Sequence, residues 1–337
     1  MLKELKVERG HLVLDPFLGV GTTCLACREA GIASIGVDVS PLFVMVSRVK
    51  TRDYDVDILR KTREKIIAQR FIRPDIRGIN GFVRQLFSKY ALEDLVFLRE
   101  KINEIEDDTL REFFILALMN AAEKTSYIYR DGAVIKIRKD IPRPPSLRKM
   151  FGRVVKMMIK DVERPRLEPV AAEIFRGDAR MLEFLEDEMF DVVITSPPYL
   201  NKIEYTKAYW PEYELFFPNV KIDPLRAYIS LTPKEPVSEP LLDIEMPPIA
   251  RAYFSDMLKV FGELFRVLKY GGKVAMVVGG GVFPDRVIDV DIPLARLAAD
   301  VGFTVKRIIA VNKRAATTRR VIKIGESRES ILIMQKE

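Results

Sequence analysis

The residues best placed by type and spacing to do chemistry are Thr195-Ser196-Pro197-Pro198-Tyr199, which end the apolar run Asp191-Val192-Val193-Ile194. Two successive prolines stop strand pairing and hold the backbone extended. Their carbonyls have no neighbouring N–H partners and are left to accept from a ligand. A ligand that needs such acceptors is an amine whose lone pair is delocalised into an aromatic ring, as on cytosine or adenine. Acceptors fixed on both of its N–H groups would localise that lone pair and aim it at an electrophilic methyl group. The Ser196 side-chain oxygen and the Pro197 carbonyl are the candidates. Tyr199 offers a stacking face for a base that has left any helical stack. Positioning and oriented dipoles would supply the acceleration, together about 7–11 kcal/mol, with no covalent intermediate.

The second such stretch is Leu14-Asp15-Pro16-Phe17-Leu18-Gly19-Val20-Gly21-Thr22. Glycines let a backbone turn tightly and approach a ligand closely. The helical stretch that follows presents unpaired N–H groups at the same place. A dinucleotide loop would carry a third glycine where Cys24 stands, so the spacing alone does not choose the cofactor. Asp38 ends the next apolar run, where an acid accepts from two ribose hydroxyls, a need shared by NAD and S-adenosylmethionine. Asp178, after Gly177, is placed to take an adenine amino group. Each acid taken singly reads equally well as a strand-end or turn residue. Together, on one edge of a sheet, they point to a nucleoside.

These residues need a scaffold. Residues 11–15 and 34–38 are short apolar runs ending in an acid, with the glycine turn and a helical stretch (24–30) between them. Strand, turn, helix, strand is the opening of a doubly wound sheet. Strand pattern returns at 172–178 and 190–196. A helix is expected over 250–268, a strand over 273–278, and a closing hairpin from 304–311 and 330–334. In between, 57–167 reads mostly as helix: 91–127 has apolar residues at helical spacing. Pro142, Pro144 and Pro145 break that pattern, and 146–160 reads as a basic amphipathic helix with Ser146 as its N-cap. The proline-rich 218–248 stretch has no clear period and reads as a long loop. The expected fold class is α/β: a Rossmann-like sheet with a terminal antiparallel hairpin, interrupted by an inserted, mainly helical basic domain at 58–167. The sheet domain would then be discontinuous, 1–57 and 168–337.

Composition narrows the class further. Hydrophobic residues make up 48% and charged residues 31% of the 337, which excludes a disordered chain. No apolar run is long enough to span a bilayer, residues 1–6 lack a signal-peptide stretch, and two cysteines cannot build a disulfide framework. A cytoplasmic location is expected. Abundant Lys, Arg, Glu and Ile fit a heat-adapted source. Cys24-x-x-Cys27 stands with a single histidine, His11, so no metal site is expected and both thiols are assigned to the core. No Pro-Cys nucleophile for carbon methylation is present. Tyr205, Tyr209, Trp210 and Tyr213 read equally as stacking partners or as core.

The formal net charge is +7, yet 136–166 alone carries eleven Lys or Arg against three acids, a net of +8. Lys136, Arg138, Lys139, Arg143, Arg148, Lys149, Arg153 and Lys156 are therefore candidate phosphate contacts, with a solvated helix face as the alternative. Lys313, Arg314, Arg319, Arg320 and Lys323 form a second basic cluster, and the two are expected to line one groove.

Asp15-Pro16-Phe17-x-Gly19-x-Gly21-Thr22 paired with Thr195-Ser196-Pro197-Pro198-Tyr199 resembles the amino-methyltransferases of the DNA N4-cytosine and N6-adenine group. The resemblance covers the α/β part of the chain. It implies S-adenosylmethionine as cofactor, bound at Asp15, Phe17, Gly19, Gly21, Thr22, Asp38 and Asp178, with catalysis at Ser196, Pro197 and Tyr199. Ser196 stands where adenine enzymes more often carry Asp or Asn, which favours cytosine N4. Two features depart from the pattern. Only about ten residues precede the glycine strand, where many members carry a cofactor-contacting segment, and no target-recognition domain follows the catalytic motif. The extra mass is helical and basic and lies between the second and third strands. That layout is similar to archaeal relatives that modify structured RNA, among them enzymes methylating N4 of a cytidine in small-subunit ribosomal RNA. RNA, in a ribosomal subunit or its precursor, is therefore expected ahead of DNA, with no membrane partner. Enzymes methylating a glutamine amide carry a similar Pro-Pro-Tyr, and a non-catalytic RNA-binding assembly factor would keep the fold. Both readings stay open.

Overall fold

The computed structural model describes the chain except for 132–133, 139–144, 165–166, 202–204, 219, 221–245 and 319–321. The chain opens with β1 (Leu12–Asp15), α1 (Thr22–Glu29), β2 (Ala33–Asp38) and α2 (Pro41–Thr51). Next come α3 (Val56–Ala68), α4 (Gly81–Gln85), α5 (Lys89–Asn103), α6 (Asp108–Lys124), β3 (Ile128–Asp131), β4 (Val134–Ile137) and α7 (Leu147–Val162). Strands β5 (Ala172–Arg176) and β6 (Phe190–Thr195) resume the sheet, followed by α8 (Tyr205–Ala208), α9 (Trp210–Phe216) and α10 (Pro248–Val267). The chain closes with β7 (Leu268–Gly279), β8 (Gly281–Val282), β9 (Val287–Ile288), α11 (Asp291–Val301), β10 (Phe303–Thr318) and β11 (Ile322–Lys336).

Two units form. The first is Met1–Ser47, Glu168–Glu204 and Ile222–Glu337; the second is Arg48–Leu167 and Tyr205–Lys221. The first is built on a seven-stranded sheet in the order β10-β11-β7-β6-β1-β2-β5. Strands β5, β2, β1, β6 and β7 run parallel, and β11 and β10 pair antiparallel at one end. The chain steps outward from β1 through β2 to β5, then returns to β6 on the other side. The reversal between β1 and β6 is a topological switch point, where ligands bind beyond the carboxyl ends of the strands.

Alternation along the strands decides which face each side chain covers. Leu14, Val193, Met276, Leu332 and Met334 pack with Phe254, Met257 and Phe261 of α10 and Leu294 and Ala298 of α11. Their neighbours Val13, Val192, Ile194, Ala275 and Ile333 point the other way and pack with Leu5 and Cys27. Phe254 and Phe261 are fully buried, and truncating either to Ala would cost about 3–5 kcal/mol. Cys24 joins Leu18, Val44 and Ile174 in a small cluster. Burial pushes both thiols up, Cys27 to about 12, which keeps them protonated and unreactive.

The second unit differs from expectation in three ways. It begins at Arg48 rather than 58, because Arg48 and Arg52, at the end of α2, both pair with Glu112 of α6. It takes in α8 and α9: Arg99 donates to the Leu215 carbonyl at 2.5 Å, and Trp210 packs on Phe82. It is also not wholly helical, since β3 and β4 form a two-stranded ribbon from 128 to 137. Asp55, Ser88 and Asp107 cap α3, α5 and α6 through their side chains. Ser146 takes the N-cap position of α7 as expected, though its side chain makes no capping bond. The closing hairpin is longer than its apolar core suggests, since pairing continues out to Thr318 and Ile322. Most of the 218–248 stretch lies outside the described residues.

Candidate active site at the carboxyl edge of the sheet

The glycine loop leaves β1 at Asp15 and is tied down at three points. Leu18 N–H donates to the Val37 carbonyl at 3.0 Å, Gly19 N–H donates to Asp38 Oδ2 at 2.9 Å, and the Ser47 hydroxyl donates to the Gly19 carbonyl at 2.9 Å. Gly19 and Gly21 have φ of +53° and +77°, in the left-handed region that favours glycine. A Cβ at Gly21 would also lie 2.7 Å from Ser47 Oγ and 2.8 Å from its Cβ. Gly21 caps α1, so the loop delivers the backbone to the helix start at close range. Phe17 is half-buried and Thr22 exposed. Ser47, fully buried on α2, is a member of this site that no local motif announced.

Asp38 ends β2 with both oxygens directed at backbone, Oδ2 to Gly19 and Oδ1 to the Ser40 N–H at 2.9 Å. Burial raises its carboxyl from an ordinary 3.8 to about 7 against the pull of those two bonds. Asp15 is buried; its Oδ1 accepts from Phe17 N–H at 3.2 Å and from the Thr195 hydroxyl at 2.7 Å. Burial raises its carboxyl too, against the bonds from Thr23, Thr195 and Phe17. The Asp15–Thr195 bond links residues 180 apart in sequence and joins the glycine loop to the paired-proline turn.

Ser196, next after Thr195, is exposed; Pro197 is buried, and Pro198 and Tyr199 are half-buried. The ring of Tyr199 rests on Gly279, where a Cβ would come within 2.7 Å of Cδ2. Its hydroxyl donates to Glu329 Oε1 at 2.5 Å. Asp178 follows β5 on the same edge, but both its oxygens accept from Arg180, at 3.0 and 2.6 Å, and Arg180 also pairs with Asp256 of α10 at 2.9 Å. The acid expected to meet an adenine amino group is thus held by a guanidinium two residues along.

The basic residues divide. On α7, Lys149, Arg153 and Lys156 are exposed on the side opposite buried Leu147, Phe151, Val154 and Val155. Arg148 is different: its guanidinium lies over Phe97 at 5.2 Å and donates to the Gln69 carbonyl, so it packs the helices together instead of meeting phosphate. Lys136 pairs with Asp131, and Arg138 stacks on Tyr129 at 4.4 Å, both on the exposed face of the β3–β4 ribbon. Lys139 and Arg143 lie outside the described residues, as do Arg319 and Arg320. Lys313, Arg314 and Lys323 are exposed on the distal part of the hairpin. Tyr209 lies under Arg130, and Tyr213 is buried against Phe217, so these aromatics pack within the helical unit. The side chain of Tyr205 lies outside the described residues.

The parts fit S-adenosylmethionine. A loop with left-handed glycines, and no room for a Cβ at Gly21, stands beside a desolvated acid that can accept from a vicinal diol. The switch-point crevice between β1 and β6 lies between that acid and the paired prolines. Together these define an S-adenosylmethionine-dependent methyltransferase on a Rossmann-like sheet. Residues 4–48 match the family model described as DNA methylase. The chain is 26% identical to the Type II methyltransferase M.BsoBI of Geobacillus stearothermophilus, over 100% of this chain and 82% of that protein. Identity to the Type II methyltransferase M.AvaI of Nostoc is 23%, over 92% of this chain and 77% of that one. To M.MjaII of Methanocaldococcus jannaschii, also a Type II methyltransferase, it is 30%, over 51% of this chain and 34% of that one. These matches make the chain similar to the N4-cytosine/N6-adenine amino-methyltransferases. Among the described residues, no helix is long and apolar enough to cross a membrane, and no cluster of metal-ligating side chains occurs.

Proposed function

We propose that this enzyme methylates the N4 amino group of cytosine in DNA. The observation that carries the chemistry is the Asp15–Thr195 hydrogen bond, which holds the glycine loop and the Ser-Pro-Pro-Tyr turn side by side. The bound cofactor would supply an electrophilic methyl group on a sulfonium. Gly19, Gly21 and Asp38 would hold its backbone-facing and ribose groups, and Asp15 and Phe17 would shape the floor. Ser196 Oγ and the Pro197 carbonyl accept from the two N–H groups of the flipped base, and Tyr199 stacks on its ring. The amine held there would be the nucleophile toward the methyl group that the bound cofactor supplies, and its surplus proton would pass to solvent at the exposed Ser196. Ser196 in the first position of the turn supports cytosine over adenine by resemblance.

DNA is favoured over the RNA substrate that the sequence layout suggested. The match to a DNA methylase model and the full-span likeness to Type II methyltransferases support that choice. A helical, basic block inserted between the second and third strands of the chain is then no mark of an RNA enzyme. Lys149, Arg153 and Lys156 are proposed to contact phosphates, which position a duplex without reading its sequence. The expected location is the cytoplasm. Incubation with labelled methyl donor and separate DNA, RNA and protein pools, followed by nucleoside analysis, tests the reading. N4-methylcytosine in DNA is the expected product. Label only in RNA, only in protein, or on N6 of adenine would overturn it.

A further inference from the structure

The Ser-Pro-Pro-Tyr turn does not stand alone: its far end is fastened to β7 and, through Tyr199, to the closing hairpin. Three consecutive glycines, Gly279, Gly280 and Gly281, end β7, and each is covered so closely that a side chain would collide. A Cβ at Gly279 would lie 2.7 Å from the Tyr199 ring, one at Gly280 2.8 Å from Ser327 Oγ, and one at Gly281 2.7 Å from Leu200. Asn201, at φ +51°, turns the chain and donates from Nδ2 to the Val282 carbonyl at 2.6 Å. The residues after the prolines are therefore laid along a strip of bare backbone.

Glu329 completes this seat. It is the register partner of Gly279 in the β11–β7 ladder, so the residue that accepts from the Tyr199 hydroxyl stands directly beside the residue that carries its ring. Its neighbours in sequence are clamped on the opposite face of β11. Arg328 donates to Asp291 from Nε at 2.6 Å and Nη2 at 2.8 Å, and the Ser330 hydroxyl donates to Asp291 at 2.7 Å. Asp291 is only 2% exposed. The backbone from which the Glu329 side chain springs is thus fixed on both sides, and its carboxylate reaches the Tyr199 hydroxyl from a set position on the strand.

We propose that Glu329 is a positioning residue that latches the Tyr199 hydroxyl and so fixes the plane of the aromatic ring against which the target base is set. The ring is seated on Gly279 on one side and oriented by Glu329 at its tip. The antiparallel hairpin thereby contributes to the site without itself meeting cofactor or base. The part played by the base rests on the reading proposed above; the latch itself does not.

Four variants test the latch: Glu329→Ala, Glu329→Gln, Tyr199→Phe and the double Tyr199→Phe/Glu329→Ala. Thermal melting should stay within a few degrees of the wild type, the worth of one hydrogen bond, and S-adenosylmethionine affinity should match it in all four, which separates a local effect from a failure to fold. A hydrogen bond to a charged group carries enough free energy that Glu329→Ala should lower kcat about tenfold or more. Tyr199→Phe should do the same, and the double variant should be no worse than either single one, because the two residues act as one unit. Glu329→Gln, whose amide oxygen still accepts, should recover most of the rate. A double variant whose losses multiply, or a Gln variant as slow as the Ala variant, would overturn the proposal. A second readout needs no nucleic acid. With tyrosine labelled at Cζ, the Tyr199 carbon resonance should shift in Glu329→Ala and move less in Glu329→Gln. An unmoved resonance would reject the latch even if methyl transfer behaves as expected. Absence of methyl transfer to any nucleic acid would instead remove the reading of the base and leave the resonance to judge the latch.

Discussion

The two halves of the carboxyl edge are made specific by different means. The half beyond β1 and β2 is fixed by backbone: two left-handed glycines and three ties that run from the loop to Val37, Asp38 and Ser47. The half beyond β6 and β7 is fixed by missing atoms, namely prolines without N–H groups and glycines without side chains, over which Tyr199, Leu200 and Asn201 are laid. The first half makes a crevice that suits a donor held in one pose. The second makes a platform that suits a base arriving from outside. The Thr195 hydroxyl, donating to Asp15, connects them. Damage to one half should therefore show in donor binding, and damage to the other in transfer.

The comparison is strained hardest at Ser196. Removing one fixed acceptor of the amine takes away a bond that matters most as charge develops on nitrogen. Loss of a comparable oriented group in other enzymes costs about 10²–10³-fold in kcat. Ser196→Ala should lower kcat by that order while donor affinity, measured by calorimetry, stays within about twofold. A parallel loss of donor affinity would mean that the two halves are not separable.

Asp38 sharpens the other side, and its sign follows from its surroundings. Burial holds the free carboxyl at about 7, above its ordinary 3.8, so the free protein loses stability as pH rises between those values. Two ribose hydroxyls would donate to the ionised form. Donor affinity should therefore climb as pH rises toward about 7 and then level off. Asp38→Asn should abolish that climb and weaken binding at pH 8 by about ten- to a hundredfold, the worth of a charged hydrogen bond. Wild type and variant should converge as pH falls. A pH-independent wild-type affinity would show that Asp38 does not titrate against the donor.

How much of this was legible in the sequence follows the same division. The strand-turn-helix-strand opening and the paired prolines are local, so residue type and spacing sufficed to place Asp15, Gly19, Gly21, Asp38 and the turn at the carboxyl edge of the sheet. Glu329 lies 130 positions from Tyr199, and its role exists only because β11 is paired with β7 in one register. Ser47 was hidden in the same way, on α2, where no local motif marks it. Asp178 stands on the expected edge, and the Asp-x-Arg spacing was visible, but not that both oxygens would accept from Arg180. The ribbon of β3 and β4 was hidden inside a block read as helix, because two four-residue strands are too short to establish a period against the helices around them.

The smallest expected effect concerns the helical unit. Lys149, Arg153 and Lys156 lie on the exposed stripe of α7, whereas Arg148 on the same helix is committed to Phe97 and Gln69. Changing these three basic residues to Gln should weaken DNA binding by a few-fold for each charge. It should also flatten the dependence of log Kd on log salt by about 0.9 for each phosphate left without a cation. Arg148→Gln should leave the salt slope alone and lower the melting temperature, since it removes a cation–π interaction and a carbonyl bond from the packing. If Arg148 changes the slope and the three exposed residues do not, the charge of α7 serves the helix bundle and not a phosphate backbone.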